Sequence, residues 1–245
     1  MLAISNLQQG YGLTTVIKDL TLYMEHGIHA LLGPNGAGKS TFLRTLATIV
    51  PPRRGRIRLD DHELGPETLE QIRGRIGYLP QRFGFDPSMT VSEFVHYAAW
   101  ARGVPRPARR AAVEEALEKT GLGDRRAVKM RKLSGGMVQR SGIAWAIVGN
   151  PSLILLDEPT VGLDPMQRIR FRSIISQQRD AVIVLSTHLT DDVDAIAEKV
   201  IVMDEGTARF QGSPGELEKL ANPDSPGNTP LERGYTTLLA GSKER

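Results

Sequence analysis

Nine consecutive residues, Gly33, Pro34, Asn35, Gly36, Ala37, Gly38, Lys39, Ser40 and Thr41, have the types and spacing needed to hold a polyphosphate. They fit the pattern G-x-x-x-x-G-K-[ST]. Glycines let the backbone curl so that successive N–H groups point inward at anionic oxygen, and a helix starting at the lysine adds the positive end of its dipole. Lys39 then reaches the β- and γ-phosphates, and the Ser40 hydroxyl is a ligand for Mg²⁺. A chance glycine-rich turn would not need the flanks found here, an apolar strand over 29–32 and a helical pattern over 39–48.

A second constellation is Leu153, Ile154, Leu155, Leu156, Asp157, Glu158 and Pro159, four apolar residues ending in two carboxylates. A buried parallel strand that ends in Asp puts its carboxylate at the edge of the sheet where a phosphate loop also sits. Asp157 can hold Mg²⁺ there, and Glu158 can orient or deprotonate an attacking water. Neighbouring side chains on a strand point to opposite faces, so both roles require Glu158 to lie just past the strand, in the turn before Pro159. An acidic pair after a strand is ordinarily only a turn; the phosphate loop gives this one a chemical reading.

Third, Ser134 precedes Gly135 and Gly136 at the start of a helical stretch over 135–148. Ser is a favourable N-cap, and two glycines leave the first amides uncovered, which makes a second helix end suited to an anion. Taken alone, a capped helix explains these residues equally well.

The elements that must position these groups are legible as short apolar runs bounded by Gly, Pro or Asp, over 2–7, 20–24, 28–32, 57–59, 76–79, 153–156, 181–185 and 200–203. They predict strands. Helical stretches over 39–48, 165–178 and 189–196 lie among them, which predicts an α/β fold with a largely parallel, buried sheet. From about 90 to 148 the pattern is helical without a strand, and reads as a helical insertion. Residues 221–230, ANPDSPGNTP, read as a mobile linker, followed by an amphipathic stretch over 231–240.

Composition agrees with one sizeable globular unit. The 245 residues include 40% hydrophobic types, and 31 Lys and Arg against 28 Asp and Glu give a net charge of +3. Zero Cys excludes disulfides, thiolate metal sites and a cysteine nucleophile. No apolar run approaches a membrane span, and the start MLAISNLQQGYG lacks the pattern of a signal peptide, so a cytoplasmic chain is expected. His26, His29, His62 and His96 show no metal-ligand spacing, and the basic runs over 53–56 and 125–132 lack interleaved aromatics, so no nucleic-acid partner is expected.

Ser134-Gly135-Gly136 with Gln139 and Arg140, lying between the phosphate loop and Leu155-Leu156-Asp157-Glu158-Pro159, resembles the nucleotide-binding subunit of ABC transporters. The likeness spans about residues 2–220. It implies a P-loop NTPase core with an N-terminal antiparallel β portion, an ATP-binding domain over 1–220 carrying a helical subdomain at about 90–148, and a linker and short tail over 221–245. It implies ATP and Mg²⁺ as ligands. By the same resemblance Tyr11 stacks on adenine, Gln81 touches Mg²⁺ and reports to a membrane partner, Asp164 in Gly162-Leu163-Asp164 lies in a loop at a dimer interface, and His188 contacts the γ-phosphate. Catalytic roles then fall to Glu158, His188 and Lys39, metal contacts to Ser40, Gln81 and Asp157, and Ser134, Gly135 and Gly136 complete the ATP site of a second copy, or of a closely related second ATPase subunit, in a head-to-tail dimer. Many members have Gln where this chain has Met137, a variant resembling the exporter branch that handles drugs, antimicrobial peptides, polysaccharides or lipids. Met donates no hydrogen bond, which leaves the Ser134 hydroxyl and the two glycine amides.

The expected function is therefore ATP hydrolysis that powers export through a separate membrane permease, from the inner face of the cell membrane. Members acting on DNA or ribosomes carry two cassettes or long coiled-coil insertions, and neither is present in this sequence. A module that binds ATP without turnover would not need Lys39, Asp157, Glu158 and His188 together. The segment from Phe83 to Phe85, two aromatics around a glycine shortly after Gln81, is expected either to pack against the helical insertion or to form a groove for a helix of the permease.

Overall fold

The computed structural model describes residues 1–243. In chain order the elements are β1 (Leu2–Tyr11), β2 (Thr14–Met24), β3 (Gly27–Leu32), α1 (Lys39–Leu46), β4 (Arg54–Leu59), β5 (His62–Glu63), α2 (Leu69–Gly74), β6 (Ile76–Leu79), α3 (Val91–Ala101), α4 (Arg106–Lys119), α5 (Gly135–Ile147), β7 (Leu153–Asp157), α6 (Pro165–Ser176), β8 (Val182–Ser186), α7 (Thr190–Ile196), β9 (Lys199–Asp204), β10 (Thr207–Gly212), α8 (Pro214–Glu218) and α9 (Pro230–Lys243). Two single 3₁₀ turns separate α4 from α5.

Two sheets form. One is antiparallel, in the order β2-β1-β4-β5; the other runs β10-β9-β3-β8-β7-β6 and is parallel except for its β10 edge. The strand period of two divides the core between the faces of the large sheet. Leu153, Leu155, Val182 and Val184 pack with Phe42 and Leu43 of α1 and with the antiparallel sheet, whereas Ile154, Leu156, Ile183 and Leu185 pack toward the helices between β6 and β7. Burial on both faces is why these strands are continuous Val, Ile and Leu rather than alternating. All the parallel strands end at one edge, so β3, β7 and β8 deliver the phosphate loop, Asp157 and Ser186 to the same side.

Each of the eight expected strands is present. The β10 edge and the two-residue β5 were not expected, because TARFQG and HE carry no apolar run; an edge strand keeps charged and polar side chains toward solvent.

Helices α3, α4 and α5 close on a shared core that includes Val95, Ala99, Val113, Leu117, Ile143 and Ile147. Arg102, at the C-terminal end of α3, fixes the group from within. Its guanidinium donates to the carbonyls of Trp145, Ala146 and Val148 at the end of α5, the last two at 3.2 and 2.5 Å. These are carbonyls the helix leaves unpaired, and a cation there also meets the negative end of the dipole. Burial lowers the Arg102 pKa to about 10, so it remains charged.

The expectation of a mobile linker over 221–230 is corrected by the structure. The Asn222 amide donates to Thr237 Oγ1 at 3.1 Å, Thr236 Oγ1 donates to the Pro226 carbonyl at 2.6 Å, and Arg233 Nη1 donates to the Gly227 carbonyl at 3.1 Å. Polar residues that suit a solvated linker here satisfy the backbone of a loop folded over α9. The amphipathic stretch becomes α9, with Leu231 buried against Val193, Val200 and Leu217. Residues 244 and 245 of the expected tail lie outside the described residues.

Candidate nucleotide site

The site is built on the turn between β3 and α1. Gly36 and Gly38 adopt φ of 84° and 101°, left-handed values that a side chain would strain, and Gly38 is the N-cap of α1. A methyl group at Gly38 would press on Val16 Cγ1 at 3.3 Å, so glycine also permits close approach of β2. The far side of the loop is braced by the turn between β9 and β10, whose Gly206 amide donates to the Ala37 carbonyl at 3.1 Å. Ala37 is buried behind the loop. Its neighbours Gly33, Pro34, Asn35, Gly36, Gly38, Lys39, Ser40 and Thr41 line a cavity of about 670 Å³, a volume suited to a nucleotide.

Lys39 Nζ donates to the carbonyls of Gly33 and Pro34, at 2.6 and 3.1 Å. Its pKa is lowered by burial, with the charges of Glu158 and Asp157 opposing that shift. A partly desolvated cation at the start of a helix is a strong receptor for a polyanion.

Opposite stands the end of β7. Asp157 is buried and its Oδ1 accepts from Ser40 Oγ at 3.1 Å and from Ser186 Oγ at 2.6 Å. Glu158 lies one residue past the strand with φ of 47°, a left-handed conformation that turns its side chain away from the strand direction. Its amide donates to both the carbonyl and the Oγ of Ser186, at 3.1 and 2.9 Å. The turn is thus pinned on β8 rather than by Pro159 alone. Glu158 Oε2 accepts from Gln81 Nε2 at 3.0 Å and lies 3.5 Å from His188 Nδ1. Gln81, Glu158 and His188 all line the cavity.

Lys39, Ser40, Gln81, Asp157, Glu158 and His188, drawn from four separate stretches of sequence, therefore converge. Ser40 and Asp157 set two oxygens side by side, an incomplete set of the hard donors that Mg²⁺ prefers, which phosphate and water oxygens can complete. Among the described residues no three His, Cys, Asp or Glu side chains form a metal site by themselves.

Other residues singled out in the sequence lie elsewhere. Tyr11 is 44% exposed at the end of β1 and does not line the cavity. Ser134 caps α5, its Oγ accepting from the Met137 amide at 3.4 Å, and neither it nor Gly135 nor Gly136 lines the cavity. Asp164 caps α6, accepting from the Gln167 amide at 2.9 Å. The α5 helix is nevertheless joined to the Glu158 turn, because Gln139 Nε2 donates to the Pro159 carbonyl at 2.6 Å.

Three contributors escaped the sequence reading. Ser186 touches the backbone of Glu158 and the carboxylate of Asp157, and only its place at the end of an apolar run hinted at this. Val16 and Tyr235 line the cavity. The spacing of Leu231, Tyr235, Leu238 and Leu239 signals a helix face, but no local pattern says which surface that face meets.

Chemically, the cavity can hold a triphosphate against amides and a lysine, and can present a carboxylate held by an amide and an imidazole to a water beside it.

Comparison with known proteins agrees with this geometry. Residues 17–161 match the ABC transporter family. The Nod factor export ATP-binding protein I of Ralstonia nicotianae is 34% identical over 222 residues, covering 89% of this chain and 68% of that protein. A solved ATP-binding subunit of an ABC transporter superposes with a TM-score of 0.85 at 26% identity, covering 98% of this chain and 99% of the other. A dimeric ATP-binding cassette in a post-hydrolysis state with ADP and Pi superposes with a TM-score of 0.75 at 26% identity, covering 87% and 98%. A phosphate loop, a strand-end Asp-Glu pair and a helix-capping Ser-Gly-Gly in this fold have one reading: the chain belongs to the ABC transporter family, as an ATP-binding and ATP-hydrolysing subunit.

Proposed function

We propose that the cavity hydrolyses ATP to drive export through a separate membrane permease. The observation that carries this reading is the convergence of Lys39, Ser40, Gln81, Asp157, Glu158 and His188 at one edge of the sheet. The phosphate loop and Lys39 hold the triphosphate. Ser40, Asp157 and Gln81 hold Mg²⁺, which supplies neutralisation of phosphate charge when bound. Glu158 takes a proton from water as the water oxygen bonds to the γ-phosphorus and the bond to the β-γ bridging oxygen breaks, leaving ADP and phosphate. His188 steadies Glu158 and faces the γ-phosphate; Tyr11 offers its exposed ring to adenine.

The ATP-binding unit comprises 1–220, its helical part about 90–148, and the C-terminal segment that follows is docked on it through α9. Ser134, Gly135 and Gly136 lie outside the cavity of their own chain, which supports a head-to-tail dimer in which each chain's Ser-Gly-Gly segment and Asp164 loop face the partner's ATP. Mixing tests this. Chains carrying Ser134→Arg and chains carrying Lys39→Ala each give homodimers with two damaged sites, whereas the heterodimer holds both lesions in one site and leaves the other whole. Phosphate release from the mixture is expected to recover to a fraction of the wild-type rate. Sites confined to single chains would give no recovery in proven heterodimers.

The permease is proposed to dock beside Gln81. Phe83, Phe85 and Phe94 form a cluster with ring centroids 6.1 to 6.4 Å apart, continued by Trp145 to Tyr97 and Trp100, which are 48% and 53% exposed. An aromatic strip leading from solvent to a residue that touches Glu158 suits a helix of a membrane chain. Among the described residues no helix is long and apolar enough to cross a membrane, so attachment to the inner face of the cell membrane rests on that partner. Phe85→Ala is expected to lose co-purification with the permease and its stimulation of ATPase activity. Phe85 is only half buried, so truncation should cost about 1 kcal/mol of stability, read as a small fall in melting temperature. A large fall would make Phe85 a core residue.

The exporter assignment rests on Met137 and on the likeness to the Nod factor export protein of Ralstonia nicotianae. Transport assayed in inverted vesicles tests the direction.

A further inference from the structure

Helix α9 reaches the nucleotide cavity from the far end of the chain. Tyr235, on its second turn, lines the cavity together with Pro34, Asn35 and His188. The helix is held there by several independent contacts. Leu231 is buried beside Val193 of α7, and Thr190 Oγ1, two residues after His188, donates to Glu232 Oε1 at 3.2 Å. Gly234 rests directly on α8, where an added Cβ would lie 2.0 Å from the Leu217 carbonyl oxygen. Tyr235 is thus a placed side chain on a docked helix.

Its position along the cavity follows from its neighbours. Asp204, whose charge acts on Tyr235, ends β9, and the carbonyl of the preceding Met203 sits against Gly33 at the start of the phosphate loop. On the other side α9 is tied to the segment carrying His188. Tyr235 therefore stands beside the segment carrying His188, on the wall of the cavity where β9 ends against the phosphate loop. Burial, with the Asp204 charge adding to it, holds the phenol pKa above its ordinary value, so the O–H is retained at neutral pH.

We propose that Tyr235 is a nucleotide-recognition residue, its phenol O–H donating to the terminal phosphate of ATP, so that the docked C-terminal helix distinguishes nucleoside triphosphate from diphosphate. The inference rests on the nucleotide cavity proposed above and adds to it a donor from outside its sequence motifs. A hydrogen bond to a charged oxygen is a strong one, and a diphosphate that ends short of the phenol does not make it.

The test is calorimetric titration of ATP and ADP into the full Glu158→Gln chain, with and without Tyr235→Phe, a change that removes only the O–H. The expected result is an ATP Kd raised about tenfold, with the ADP Kd within about twofold of the parent. Unchanged ATP affinity, or an equal loss for ATP and ADP, would overturn the role of Tyr235. Lys39→Ala in the same background separates this from failure of the site itself: ATP binding unaffected by that change would mean that the cavity is not where nucleotide binds.

Discussion

Glu158→Gln is expected to leave ATP binding intact and to lower turnover by about 100-fold or more, the range in which a general base contributes. The geometry explains why the substitution is selective. The Glu158 backbone is fixed by two hydrogen bonds to Ser186, neither of which involves the side chain. An amide has nearly the volume of the carboxylate, and its oxygen can still accept from Gln81, now at 3.0 Å from Oε2. What the amide lacks is the ability to take a proton from water. The variant should therefore bind ATP without discharging it and run on size exclusion as a dimer when ATP is present. Phosphate release near the wild-type rate would remove Glu158 from the role of base.

Lys39→Ala should act on binding itself. Its ammonium is buried against the Gly33 and Pro34 carbonyls, close enough to Asp157 and Glu158 for their charges to act on it. Removing it leaves a cavity facing a polyanion with two carboxylates and no lysine. Loss of one charge-assisted contact costs about 1.5–3 kcal/mol, which corresponds to roughly a 10- to 100-fold rise in the Kd for ATP. Calorimetry reads that directly, and an unchanged affinity would sink the assignment. The melting temperature without nucleotide should fall little, because Lys39 makes its hydrogen bonds to a loop and not to the core.

How much of this was legible beforehand depended on distance along the chain. The phosphate loop, the strand ending in Asp157 and the helix opened by Ser134 announce themselves because backbone geometry and chemistry are encoded within a few adjacent residues. The apolar runs of β3, β7 and β8 revealed a buried parallel sheet for the same reason. The left-handed turn at Glu158 was anticipated as a turn, yet its anchor is Ser186, 28 residues away. No local pattern marks Arg102, whose partners are three carbonyls more than 40 residues on. Residues 221–230 had the composition of a solvated linker, and only the presence of α9 beneath them turned that polarity into a hydrogen-bonded cover. Tyr235 belongs to the same class: its helix was visible, its destination was not.

The central claim is that this chain hydrolyses ATP in a site shared between two copies, and phosphate release by the purified wild-type chain tests it most directly when measured against chain concentration at saturating ATP. A shared site predicts that the rate per chain climbs with concentration and levels off once dimers dominate, with Glu158→Gln near background throughout. A rate per chain that stays constant down to concentrations at which only monomers sediment, or no release above the Glu158→Gln background at any concentration, would contradict it.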